Sequence, residues 1–230
     1  MIRSKKKKAE RLSAVNERLK EVYPEATCAL EYENDPWKLL VMGRLSAQCT
    51  DARVNVICKE LFAKYPNCHE MALGELEDIE RIVRPCGLYK TKAENIKKAS
   101  VIIDSRGGLL PDDMDGLTAL PGVGRKIANL ILGDVFGKDA VVCDTHCIRI
   151  CGRLGMYPEK LRDPLKIEMI LRDLLAAGEG SDFCHRIVSF GREFCSARSP
   201  ECDKCPLADL CEKRKNDIKK TLETRSKSKE

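Results

Sequence analysis

The stretch Leu120-Pro121-Gly122-Val123-Gly124-Arg125-Lys126 decides how the rest of this chain is read. Two glycines one residue apart can take positive φ and let the backbone approach a ligand, while the helix that follows aims unpaired N–H groups outward. Such a turn suits a phosphate. Pro121 stops one apolar stretch, and Ile127, Ala128, Leu130, Ile131, Val135 and Phe136 continue at helical spacing, so the segment reads helix, hairpin, helix. An isolated Gly-x-Gly is more often an ordinary helix corner with capping glycines; the flanking periodicity is what shifts the reading. Lys126 falls in the first turn of the second helix, where the partial positive charge of the helix end leaves a further cation little to gain. It reads either as a solvated or phosphate-binding lysine or as a buried amine free to act as a nucleophile.

Downstream lies Val142-Cys143-Asp144-Thr145-His146, ahead of an apolar helical run through Ile148, Ile150, Cys151 and Leu154. Asp144 has the position of a helix N-cap, a role compatible with a catalytic carboxylate. Cysteine is abundant, 13 residues in all, and scattered through helices and loops with no signal-type leader, which points to a reducing compartment and away from a disulfide scaffold. Nine of them sit mostly among apolar neighbours and read as small buried hydrophobes. Cys195, Cys202, Cys205 and Cys211 differ, because Pro200 and Pro206 break helix between them and a tight loop can aim four sulfurs at one point. Four thiolates suit a tetrahedral zinc or a cubane iron–sulfur cluster; only Cys202 and Cys205 form a Cys-x-x-Cys pair, and that uneven spacing favours the cluster.

Helical signals dominate the rest of the chain, and strand signals and internal repeats are absent, which predicts an all-α protein. Asp35-Pro36 opens one helix; Val54, Ile57, Leu61 and Phe62 stripe another that ends near Pro66. Ala93, Ile96, Ala99 and Ile103 stripe a third, ended by Gly107-Gly108, and Asp163-Pro164 opens a helix expected to run through Ile167, Ile170, Leu171 and Leu174 to Gly178.

The hairpin run from Leu120 to Asn129, the Asp144-Thr145-His146 segment and the four-cysteine loop together resemble the endonuclease III branch of the helix-hairpin-helix DNA glycosylases. Leu45 to Asp51, Gly87 to Ile96 and Phe190-Gly191-Arg192 support the likeness, which spans roughly residues 12 to 212. It implies a two-lobed fold: a six-helix barrel over 29–138, a discontinuous cluster domain from 1–28 and 139–212, and a charged tail from 213. It implies that Lys126 is the catalytic lysine and Asp144 the catalytic aspartate, facing each other across a cleft. A lysine at that position implies base removal followed by strand cleavage, through a Schiff base and β-elimination, on oxidised or damaged pyrimidines in duplex DNA. Cys195, Cys202, Cys205 and Cys211 match the ligands of a 4Fe-4S cluster. Gln48 and Leu88 match residues that fill or wedge the hole left by an extruded nucleotide, although as residues they read more simply as a helix-end amide and a core leucine. Gly122, Val123, Gly124, Arg125 and His146 complete the implied DNA contacts. The chain departs from the pattern at Arg44, which interrupts the apolar run Trp37, Leu40, Val41, Leu45, and at Cys143 and Cys147 beside the aspartate; these bear on which lesions fit.

The net charge of +5 is a mild basic excess, of the sign that phosphate contact needs. Much of it lies in Lys5 to Lys8 and Lys213 to Lys229, which read as solvated tails. No stretch is long and apolar enough to span a membrane. A monomer in a prokaryotic cytoplasm, at the nucleoid, with damaged or abasic duplex DNA as its partner, is the expected setting. Two other readings compete: an adenine-removing mismatch glycosylase, against which Lys126 argues, and a non-catalytic DNA-binding module.

Overall fold

Short polar caps and apolar stripes lay down one helix after another. The computed structural model describes residues 2–227, with the side chains of 4–224, and contains no strand among the described residues. The helices are α1 (Ile2–Val22), α2 (Pro36–Leu45), α3 (Asp51–Lys64), α4 (Cys68–Leu73), α5 (Leu76–Val83), α6 (Tyr89–Asp104), α7 (Met114–Thr118), α8 (Arg125–Asp134), α9 (Thr145–Arg153), α10 (Pro164–Arg172), α11 (Gly180–Glu193) and α12 (Glu212–Lys227), with a 3-10 turn at Arg84–Cys86. The all-α expectation holds. Asp35 caps α2 by accepting from Trp37 N at 2.9 Å and Lys38 N at 3.1 Å, with Pro36 at the first helical position.

The chain divides into two units, Cys28–Ala140 and the flanking parts up to Thr27 and from Val141 onward. In the first, α6 is the central element, packed against α2, α4 and α5. Its stripe of Ala93, Ile96, Ala99 and Ile103 is completely buried. Trp37 of α2 reaches into the same core, donating from Nε1 to Ser100 Oγ at 2.9 Å and lying 5.5 Å from the Phe62 ring. In the second unit α1 and α9 each pack on α11. Leu12, Val15 and Leu19 of α1 are fully buried there.

Three local expectations need correction. The helix opened by Asp163 ends at Arg172, because the chain tightens there into an i→i−3 bond from Leu174 N to Leu171 O, and Gly178 takes its left-handed φ of 81° in a separate turn. Lys5 to Lys8 belong to α1 instead of a tail, although Lys5 to Lys7 are exposed as expected, and Lys5 Nζ pairs with Asp173 at 2.6 Å. Residues 213–227 are helical as well, since α12 is held at its start by Arg11 to Glu212 at 2.9 Å and Lys213 to Glu159 at 3.5 Å.

One buried cation organises the first unit. Lys92 is fully buried on the core side of α6, and its ammonium donates to Leu45 O at 2.8 Å, Ala47 O at 2.7 Å and Cys86 O at 2.8 Å. All three protons of the group are used, and the C-terminal end of α2 is tied to the 3-10 turn. Replacing Lys92 with Met would strand three carbonyls in a dry core, so we expect the Lys92→Met protein to lose about 3 kcal/mol of unfolding free energy, read as a lower urea midpoint at unchanged slope.

Candidate active site

The hairpin sits between α7 and α8. Gly122 takes φ 76°, whereas Gly124 lies in the extended region at φ −92° and ψ 174° as the N-cap of α8, so only one of the two glycines uses the left-handed region. A Cβ on Gly122 would come within 2.6 Å of Arg44 Nε and 2.7 Å of Asn95 Nδ2, so α2 and α6 both brace the turn from behind. Arg44, the residue that interrupts the apolar run of α2, therefore supports the hairpin. A Cβ on Gly124 would meet nothing within 4 Å. Gly124 offers α8 no side-chain cap, leaving the first-turn N–H groups without one of the usual local partners at an open surface. Lys126 is exposed in that first turn, which corrects the alternative of a buried amine.

Two further loops of this unit carry strained backbone. Gln48 has φ 57° and Leu88 φ 48°, values that a non-glycine residue seldom takes and that cost roughly 1–2 kcal/mol for a side chain such as leucine. Gln48 is exposed, and Leu88 is 59% exposed at the uncapped start of α6, which corrects the simpler reading of Leu88 as a core residue. The Lys92 clasp holds the backbone on each side: Ala47 precedes Gln48, and Cys86 lies two residues before Leu88. Lys92 escaped the sequence reading, although its register, four residues before Ile96 on the apolar stripe, was the signal available.

The second unit holds Asp144, His146 and the cysteine segment. Asp144 is the N-cap of α9, its Oδ1 accepting from Cys147 N at 2.7 Å. His146 is half-buried against α11, where Gly191 leaves room: a Cβ there would lie 2.4 Å from His146 Nδ1. Arg149 Nη2 stands 3.2 Å from the same ring nitrogen.

Cys195, Cys202, Cys205 and Cys211 line a single cavity of about 390 Å³, with Ile150, Phe190 and Leu207 on its apolar side. Arg153 donates from Nη1 to Cys195 Sγ at 3.2 Å and to Ser196 O at 2.8 Å, and Arg149 donates from Nη2 to Cys195 O at 3.0 Å. Arg18 of α1 fixes the far part of the loop through Pro206 O at 3.0 Å. No three potential ligands converge tightly enough for a single metal ion among the described residues. Four thiols lining one cavity, with a guanidinium group beside Cys195, make up a donor set that fits a thiolate-ligated metal centre. Burial pushes the Cys205 thiol up to about 11, so loading the segment must displace protons.

Comparison with known proteins agrees with this geometry. A model of the HhH-GPD superfamily base excision DNA repair proteins matches residues 41–177, and one of the iron–sulfur binding domain of endonuclease III matches 195–211. The endonuclease III of Synechocystis is 41% identical, covering 90% of this chain and 93% of its own, and that of Escherichia coli K12 is 37% identical, covering 92% and 99%. Among solved structures, a non-covalent endonuclease III–DNA complex superposes with a TM-score of 0.85 at 38% identity, covering 92% of this chain and 98% of its own. A trapped endonuclease III–DNA covalent intermediate gives a TM-score of 0.84 at 38% identity, covering 91% and 98%. The chain belongs to the endonuclease III family of the HhH-GPD base excision DNA repair proteins. The family's cofactor, a 4Fe-4S cluster, comes with that membership.

The two hairpin glycines predict different failures. Gly122→Ala forces a left-handed alanine against Arg44 and Asn95 and should lower the melting temperature. Gly124→Ala changes stability by at most about 1 kcal/mol, but it places a methyl group over the open α8 N-terminus. We expect Gly124→Ala to weaken binding to duplex DNA by roughly tenfold, or about 1.4 kcal/mol, at nearly unchanged melting temperature, read by fluorescence anisotropy beside a thermal melt.

Proposed function

We propose that this base excision repair glycosylase is bifunctional: it removes oxidised or damaged pyrimidines from duplex DNA and then cuts the strand as an abasic-site lyase, with Lys126 as the nucleophile. The observation that carries the reading is an exposed lysine in the first turn of an uncapped helix, directly behind a glycine hairpin. A DNA covalent intermediate trapped for a relative 38% identical over nearly its whole length supports it.

A base inside the stack is out of reach, so the duplex must bend and the nucleotide must leave the helix, at a cost of a few kcal/mol that is least for a weakly paired base. Gly122, Val123, Gly124 and Arg125 grip a phosphate through backbone N–H groups and the helix end, contacts that position the enzyme without reading sequence. Gln48 and Leu88 enter the space left by the extruded nucleotide; the exposure of Leu88 and the fixed backbone of both loops suit that task. The unprotonated Lys126 amine attacks the anomeric carbon, the C–N bond to the base breaks, and the resulting Schiff base allows β-elimination on the 3′ side. Asp144 acts on the same sugar, stabilising the positive charge that develops there, and its N-cap bond to Cys147 fixes the carboxylate's orientation. His146, packed on Gly191, anchors the start of α9 and contributes to DNA contact from there. Cys195, Cys202, Cys205 and Cys211 would hold the 4Fe-4S cluster, which supplies a structural centre around which the loop from 195 to 211 folds. The chain acts as a monomer, and its home is a bacterial cytoplasm, at the nucleoid.

Borohydride trapping on a duplex with one intact oxidised pyrimidine tests the chemistry. The wild-type protein should form a covalent complex and Lys126→Ala should not; binding without trapping in the wild type would mean a monofunctional glycosylase or a binding module. Cys205→Ser should lower bound iron to well under four atoms per chain, as read by metal analysis and loss of the cluster's visible absorbance.

A further inference from the structure

Outside the residues used so far, the two strained loops share a second connection. Cys49 follows Gln48, and Cys86 stands two residues before Leu88. Both thiols line a cavity of about 290 Å³ together with Gln48, Thr50, Arg53, Pro85 and Gly87. Cys86 is only 2% exposed, whereas Cys49 is half-buried. Burial pushes the Cys86 thiol up to about 11, opposed by the positive charge of Lys92 and Arg53. The neighbouring thiol, Cys58 of α3, is buried, and burial pushes it well above the ordinary thiol range, which leaves it a protonated bystander.

We propose that Cys49 and Cys86 form a thiol–disulfide switch that locks together the loops carrying Gln48 and Leu88, with small-molecule disulfides as its oxidant. Partial exposure lets a small disulfide reach Cys49 first. Its thiolate displaces one thiolate from the small disulfide and forms a mixed disulfide. Cys86, giving up its proton to solvent, then attacks the Cys49 sulfur and expels the second thiolate, so two protein thiols are oxidised and one small disulfide is reduced to two thiols. Thiols that line one cavity must close to bonding distance, which draws the two loops together. Gln48 and Leu88 then move off the positions that the Lys92 clasp sets. The effect on turnover rests on the functional reading above; formation of the bond does not.

The test uses the full-length, cluster-loaded protein incubated with excess oxidised glutathione, then alkylated and mapped by non-reducing peptide mass spectrometry. A Cys49–Cys86 linked peptide is expected, with excision of an oxidised pyrimidine falling by roughly tenfold or more and recovering under dithiothreitol. Cys49→Ser should form no link and keep its turnover in the oxidant. Absence of the linked peptide, or a linked protein with unchanged excision, would overturn the proposal. Reduced protein that excises nothing would instead overturn the functional reading, and the peptide map would still report on the bond.

Discussion

The structure depends most on a single ammonium group. Lys92 brings a charge into a core otherwise built of Ala93, Ile96, Ala99 and Ile103, and such a charge is tolerated only when every proton has a partner. It has three, all backbone carbonyls, drawn from the end of α2, the following loop and the 3-10 turn. Because the partners are backbone, the clasp fixes the path of the chain and not the choice of side chains. Leucine and glutamine are held nearby in left-handed backbone, a conformation that persists only where the surroundings over-determine it.

The hairpin follows a similar logic with different chemistry. Its rear is packed: Arg44 and Asn95 fill the space that a Gly122 side chain would need. Its front is bare, since Gly124 gives α8 neither a capping side chain nor a neighbour within reach. Asp35, Thr50, Asn67, Asp113, Asp144 and Asp163 cap their helices, whereas α5, α6, α8 and α11 start without a side-chain cap. In the other unit, arginines from α1 and α9 grip the cysteine segment largely through its carbonyls.

Local physics made much of this legible from the chain alone. Helix starts at Asp35-Pro36 and Asp163-Pro164, the turn at Pro121-Gly122 and the four-cysteine spacing depend on neighbours a few residues away, and such signals are carried by residue type and interval. They pointed to an all-helical protein, a glycine hairpin opening a helix and a thiol-rich segment suited to a cluster. Where the local signal was weak, as beyond Arg172 or in the lysine-rich ends, packing and ion pairs with distant residues set the outcome.

Tertiary structure decided the rest, because it turns on residues far apart in the chain. Leu88 is apolar, and only the fold turns it outward and holds it in left-handed backbone. Lys92 is charged, and only the convergence of three carbonyls, two of them from chain more than forty residues away, lets it be buried. Cys49 and Cys86 carry no shared motif; they line one cavity because Lys92 of α6 holds the backbone of both loops. Residue type and spacing determined which chemistry the chain can carry, and long-range contacts determined where each group stands, since burial and approach between distant segments exist only once the chain has folded.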